Sequence, residues 1–305
     1  RYASRGLGDV YKRQYVDLPS QDWEEGMCGK LEKSMYGTRD AAQNWEREYE
    51  SAFLDLKFQQ GKSSPCLFYH PDRDIRVVVH GDDMTCLGDE DNLKWLSNEL
   101  SKKYELKMRG ILGPDSHDTK SIRILNRIVT WSETGITYEP DQRHVEIMIK
   151  ALGLERAKSV VTPGIKEQTE SDKTLGTKEA TKYRSLTMRA SYLAQDRPDI
   201  QFAVKELARG MSSPTEADAL KLKRLGRYLL GKPRMVLNFN YQNHISFLDS
   251  RVDTDHAGCI KTRKSTNGGA LMYGSHCLKS WSTTQSIIAL SSGEAEYYGL
   301  VKGGS

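Results

Sequence analysis

The stretch Ile75-Arg76-Val77-Val78-Val79-His80-Gly81-Asp82-Asp83-Met84-Thr85-Cys86-Leu87 decides how this chain is read. Two short apolar runs flank a Gly-Asp-Asp tip. The pattern predicts a β-hairpin in which Gly81 supplies the permissive backbone of a tight turn. Two adjacent ionised carboxylates repel by about 1 kcal/mol at ~4 Å even in bulk water. A chain tolerates that when both are solvated, or when a divalent cation lies between them. Both readings are open at this point: an acidic surface turn, or a carboxylate pair set for metal-assisted chemistry.

Around the hairpin the apolar spacing alternates between helix and strand periods. Thr38 is a candidate N-cap for a helix over 38–56, with Ala42, Trp45, Tyr49, Ala52, Phe53 and Leu56 on one face. Residues 30–36 read as a short strand or extended connection, and 66–70 as a strand that a Pro71-Asp72 turn feeds into the hairpin. A second helix is predicted over 91–104, with Leu93, Leu96, Leu100 and Tyr104 on one side. Short strands follow around 121–130 and at 135–138, then a helix over 141–152 stopped by Gly153. The polar stretch 169–177 is the candidate linker. Beyond it lie predicted helices over 183–194, 198–211 and 215–230, strands at 245–253, 268–273 and 278–282, and a helix beginning near Ser292.

At 305 residues the chain has room for one large domain or two to three ordinary ones. A hydrophobic content of 37% with 28% charged residues is that of a soluble globular protein. No apolar stretch approaches a membrane span, and no signal-peptide pattern opens the sequence. The five cysteines, Cys28, Cys66, Cys86, Cys259 and Cys277, form no Cys-x-x-Cys pair. Neither a disulfide framework nor a zinc site is indicated, and a reducing compartment is expected. A net charge of +4 says little about partners. Its distribution says more: residues 221–234 carry six cations (Lys221, Lys223, Arg224, Arg227, Lys232, Arg234) and no acid. That segment is either a phosphate-binding surface or a solvated helix face. Arg1 to Gln14 lack periodicity, resemble translated adaptor sequence, and are set aside as a non-native leader.

Four blocks carry a family resemblance. Lys33-Ser-Met-Tyr-Gly-Thr-Arg-Asp-Ala-Ala-Gln-Asn-Trp45 is similar to KSLYGLKQAPRAW, and His80-Gly-Asp-Asp-Met84 stands where the pattern has YVDDM. Tyr183-Arg-Ser-Leu, Tyr192-Leu-Ala and Arg197-Pro-Asp-Ile200 are similar to YRSLVGSLMYLA…TRPDI. Asp253-Thr-Asp-His-Ala-Gly-Cys259, Thr262-Arg-Lys-Ser-Thr266 and Ala289-Leu-Ser-Ser-Gly-Glu-Ala-Glu-Tyr297 resemble DADWAGC, TRRST and ALSSTEAEY. In this order they resemble the reverse transcriptase and RNase H region of Ty1/copia-type retrotransposon polyproteins.

The resemblance implies an α+β fold in parts: a polymerase palm of split β-α-β-β-α-β type over 15–167, a helical thumb or connection over 168–244, and the start of an RNase H-like α/β fold over 245–305. It implies an RNA-directed DNA polymerase with ribonuclease H activity, using two Mg²⁺ or Mn²⁺ ions per site. RNA template, DNA primer, dNTPs and RNA–DNA hybrid are the implied partners, with capsid, protease and integrase segments upstream. The implied location is a cytoplasmic particle or the nucleus. Asp82 and Asp83 match the metal-binding hairpin pair; Asp253 and Glu296 match nuclease carboxylates, with Asp255 and Glu294 as structural neighbours. Arg39 and Asp40 fall in the nucleotide-binding block, where Asp40 replaces Gln and either pairs with Arg39 or caps the helix. His80 replaces an aromatic residue, either packing at the primer end or ligating metal. Lys221, Arg224, Arg227 and Lys232 would grip backbone phosphates. The third palm carboxylate is expected upstream of Tyr15, Asp9 being a poor substitute, and a later nuclease Asp beyond Ser305. The expected activity of this chain alone is therefore nil. A catalytically dead nucleic-acid-binding remnant is the alternative.

Overall fold

The computed structural model describes residues 15–31, 34, 40–165 and 173–305. Asp9, the Thr38 cap, Arg39 and part of the candidate linker lie outside them. The chain forms two compact units, one up to Met108 and one from Arg109 onward, in a mixed α+β architecture of several antiparallel sheets.

In the first unit β1 (Tyr15–Val16) pairs with β2 (Gly29–Lys30). α1 (Ala41–Asp55) leads to β3 (Gln59–Gln60), β4 (Leu67–His70), β5 (Ile75–His80) and β6 (Asp83–Leu87), and α2 (Glu90–Ser101) follows. The four later strands form one antiparallel sheet in chain order. Period-two alternation decides its faces: Ile75, Val77 and Val79 are buried while Arg76, Val78 and His80 are exposed. Tyr49 and Phe53 of α1 and Leu96 and Leu100 of α2 cover the buried face together with Phe58 and Phe68. The helical stripe of α1 is as the spacing predicts, except that Ala42 is exposed. α2 stops at Ser101, short of Tyr104, whose ring still packs on the core.

The second unit holds two sheets and five helices among its described residues. β7 (Ser121–Ile124), β8 (Arg127–Ser132) and β9 (Gly135–Glu139) form a meander, and β10 (Leu237–Asn240) adds to its edge in the order β10-β9-β8-β7. The β7–β8 turn is Leu125-Asn126, both at positive φ (47° and 66°), as a type I′ turn requires. Gly135 has φ +149°, and a Cβ there would fall 2.3 Å from Phe239 O, so only glycine lets β10 approach β9. α3 (Arg143–Leu152), α4 (Thr177–Ala194), α5 (Gln201–Arg209, after a 3₁₀ turn over Pro198–Ile200) and α6 (Glu216–Gly231) share a core of Val145, Met148, Leu186, Leu193, Leu225 and Leu229. α6 opens on a reciprocal cap between Thr215 and Asp218. α4 starts six residues before the predicted Tyr183, and Leu175, in the candidate linker, donates its N–H to Pro214 O at 2.9 Å.

One charged group lies inside this helical core. Arg197, 1% exposed, pairs with Asp199 at 2.7 Å and donates to Lys232 O at 3.1 Å, while Tyr228 Oη donates to Asp199 at 2.8 Å. Finally β11 (Asp249–Asp255), β12 (Thr266–Tyr273) and β13 (His276–Thr284) form an antiparallel sheet that α7 (Ser292–Gly303) packs against. No helix among the described residues is long and apolar enough to cross a membrane.

Candidate functional site

The β5–β6 hairpin pairs His80 directly with Asp83, leaving Gly81-Asp82 as a two-residue turn. Gly81 alone of the two has positive φ (+62°), the signature of a type II′ turn, which matches strand twist. Asp82 is exposed and Asp83 half-buried. Val79 pairs with Met84 and Val77 with Cys86, and these four lie toward the helices. Alternation therefore places Asp83 with His80 on the open face of the sheet.

The turn is held from behind. Trp45 Nε1, on α1, donates to Gly81 O at 2.6 Å, and its ring meets Tyr49 and Tyr104 edge-on at 5.8 and 5.6 Å. Read from sequence, Trp45 is a core-facing residue that ends the first motif block. The missed signal is its ring N–H, which needs a partner when the ring packs inside. Trp45→Phe keeps the ring and removes this donor, so it is expected to cost about 0.5–1.5 kcal/mol. Faster amide exchange confined to residues 79–84 checks this; unchanged exchange there would show that the turn holds itself.

The hairpin offers two carboxylates at one exposed tip, oxygen donors suited to a hard divalent cation, with the His80 imidazole nearby. Within either unit, no three His, Cys, Asp or Glu ligand atoms of the described residues lie mutually within 4.8 Å. Asp40 is the half-buried N-cap residue of α1, without a side-chain cap bond.

The second carboxylate group is differently arranged. Asp253 is exposed and lines a cavity with Asp255, while Val252 and Thr254 of the same strand approach Gly303 and Gly299 of α7. Glu296 sits on α7, and since Val252 and Thr254 face that helix, strand alternation turns Asp253 to the other face of β11. Glu294 caps the start of α7, accepting from Leu290 N at 2.7 Å while Ser291 Oγ accepts from Glu294 N. In the basic segment, Arg224 donates to Thr162 Oγ1 and Arg227 to Lys158 O, both at 2.7 Å. Lys221 pairs with Asp218 at 3.3 Å and the Lys232 ammonium lies 5.8 Å from the Tyr228 ring centre. All four thus have internal contacts that composition could not show.

Residues 7–165, just over half of the chain, match the family described as reverse transcriptase (RNA-dependent DNA polymerase). The chain is 29% identical over 298 residues to the retrovirus-related Pol polyprotein from transposon RE1 of Arabidopsis thaliana, covering 95% of this chain and 19% of that protein. It is 27% identical to the corresponding polyprotein from transposon TNT 1-94 of Nicotiana tabacum, covering 97% and 23%. An uncharacterized mitochondrial protein of Arabidopsis thaliana is 31% identical over 226 residues, 73% of this chain and 89% of that protein. The chain thus spans about a fifth of the length of the polyproteins it matches. It belongs to the reverse transcriptase (RNA-dependent DNA polymerase) family, among the Ty1/copia-type retrotransposon Pol proteins.

Proposed function

We propose that this chain is the part of a retrotransposon polyprotein that copies RNA into DNA and begins the module that cuts RNA–DNA hybrid. In this reading 15–167 form the palm side, 168–244 the connection or thumb, and 245–305 the start of the RNase H-like fold. The observation that carries it is the Trp45–Gly81 hydrogen bond. It joins the first motif block to the carboxylate hairpin of the second across 36 residues and fixes the tip where a metal site would need rigidity.

Asp82 and Asp83 would hold Mg²⁺ or Mn²⁺, with His80 beside them on the open face. When bound, the two metal ions supply activation of the primer 3′-hydroxyl and charge stabilisation at the leaving pyrophosphate. The protein's own part is to present the two carboxylates on a turn tied to α1 through Trp45. Asp253 and Glu296 would serve the nuclease, acting at the β11 edge of their sheet. Arg39 and Asp40 would approach the incoming dNTP. Lys221, Arg224, Arg227 and Lys232 would meet template–primer phosphates with the donors their internal contacts leave over.

Mn²⁺ binding followed by electron paramagnetic resonance tests the hairpin. Asp83→Asn is expected to weaken binding about tenfold, a loss of ~1.4 kcal/mol; unchanged affinity would remove the hairpin from the metal site. Because no three candidate ligand atoms of the described residues of its unit come together at the hairpin, this chain alone is expected to show no template-directed dNTP incorporation with Mg²⁺. Incorporation would reject the incomplete-site reading. The same incomplete set favours the second reading, a binding remnant, which predicts primer–template binding that Asp83→Asn leaves unchanged.

A further inference from the structure

The second unit contains an arrangement that the polymerase and nuclease readings do not require. α5 lies on the face of the β11–β13 sheet that carries Asp253. Ala203, Val204 and Leu207 bury its other side in the helical core, and its fastening to the sheet is one polar stripe at helical i, i+4, i+8 spacing. Gln201 Nε2 donates to Ser280 O at 3.2 Å, Lys205 Nζ to Thr266 Oγ1 at 2.9 Å, and Arg209 Nη2 to Cys259 Sγ at 2.9 Å. The three contacts reach β13, the start of β12 and the loop between β11 and β12. Lys205 is further held by Glu206 at 2.7 Å, with its side chain 13% exposed.

Between helix and sheet remains a cavity of about 440 Å³ with Gln201 and Phe202 on one side and Asp253, Asp255, Gly268 and Cys277 on the other. That volume suits a small molecule. Asp253 is exposed beside it. α5 stands over this face, so a nucleic-acid duplex could lie flat on it only by displacing the helix.

We propose that α5 is a latched cover that keeps the Asp253 face closed to duplexes until its Gln201–Lys205–Arg209 stripe releases. The proposal rests on the reading of Asp253 as a nuclease carboxylate for its purpose, though not for its mechanics. Neighbouring charges support a device that opens. Each contact is a side-chain bond to a carbonyl, a hydroxyl or a thiol, and Arg209 can fall back on Glu206 at 3.3 Å. On the sheet side Gly268, Ala270, Ser280 and Ser282 line the gap and give α5 little apolar grip.

Cys277 supplies a native reporter inside the cavity. The full chain is labelled either with a maleimide carrying a polymer too large for the gap or with N-ethylmaleimide, and modification is read at the Cys277 peptide by mass spectrometry. The triple variant Gln201→Ala, Lys205→Met, Arg209→Met is expected to react with the polymer reagent at least ten times faster than the parent chain. N-ethylmaleimide is expected to react equally with both. Lys205→Met alone, which keeps the aliphatic stem, is expected to give about a threefold rise and serves if the triple variant fails to fold. Equal polymer-reagent rates in parent and folded variant would overturn the cover. Adding an RNA–DNA hybrid is expected to protect Cys277 in the variant and not in the parent. Faster labelling without hybrid protection would uphold the cover and reject the nuclease reading of Asp253.

Discussion

Replacing Arg197 by methionine is expected to cost the second unit about 3–5 kcal/mol, the range for removing one member of a buried ion pair. The cost arises less from the lost attraction than from what remains. Asp199 keeps its charge beside a helical core, and the carbonyls of Lys232 and Pro233 lose their donor. Burial pushes the Asp199 carboxyl up, but the Arg197 guanidinium and the Tyr228 hydroxyl outweigh it and hold the group below the usual carboxylate range.

The sign of the pH dependence follows. A carboxyl depressed in the folded state contributes stability above its unfolded value of about 3.9, and that contribution is lost as pH falls through the folded value. Without Arg197 only the Tyr228 hydroxyl and the Asp199 backbone N–H oppose burial, so the variant gains less stability than the parent chain as pH rises and Asp199 ionises. The deficit should therefore be largest at pH 7 and shrink toward pH 3. Amide exchange in α4 and α6 under increasing denaturant measures it. A deficit independent of pH would mean that Asp199 is not the stranded charge, and partial recovery in Arg197→Met, Asp199→Asn would identify it.

Phe53→Ala is expected to cost the first unit about 3–5 kcal/mol, as large-to-small changes at closed core sites do. Phe53 is 0% exposed, stacks on Phe68 at 4.7 Å and meets Phe58 edge-on at 5.1 Å. Phe68 is in turn the cross-strand partner of Val77 on β5. A cavity at Phe53 thus opens one strand away from the hairpin, and Mn²⁺ binding at Asp82 and Asp83 is expected to weaken with stability. Calorimetric unfolding together with the resonance titration checks both. A loss below about 1 kcal/mol would mean that the aromatic cluster collapses into the space.

Much of the first unit could be read directly because its signals are local. Alternation in 75–80 and the 3.6-residue spacing of Tyr49, Ala52, Phe53 and of Leu96, Leu100 need only neighbouring residues. The features that escaped reading are those joined across long separations or through unusual turns. Leu125-Asn126 lacks the glycine that normally announces a type I′ turn, so two strands looked like one region. The alternation Leu237, Phe239, Tyr241 against Asn238, Asn240 was present, yet its partner β9 lies far back in the chain. Trp45 and Gly81 are each ordinary until the fold brings them together. In the basic segment, composition could not show that Arg224 and Arg227 are engaged by Thr162 Oγ1 and the Lys158 carbonyl.

The β9–β10 pairing also has a consequence in time. Tyr138 pairs with Leu237 and Gly135 with Asn240. At about 5–20 residues per second on the ribosome, β9 emerges roughly 5–20 s before the strand that completes its sheet. During that interval its outer hydrogen-bonding edge is open, a template for pairing with another nascent chain. A chaperone that shields this edge until α3 to α6 have been made would prevent such pairing. The yield of folded protein then depends on how quickly translation runs through the helical block.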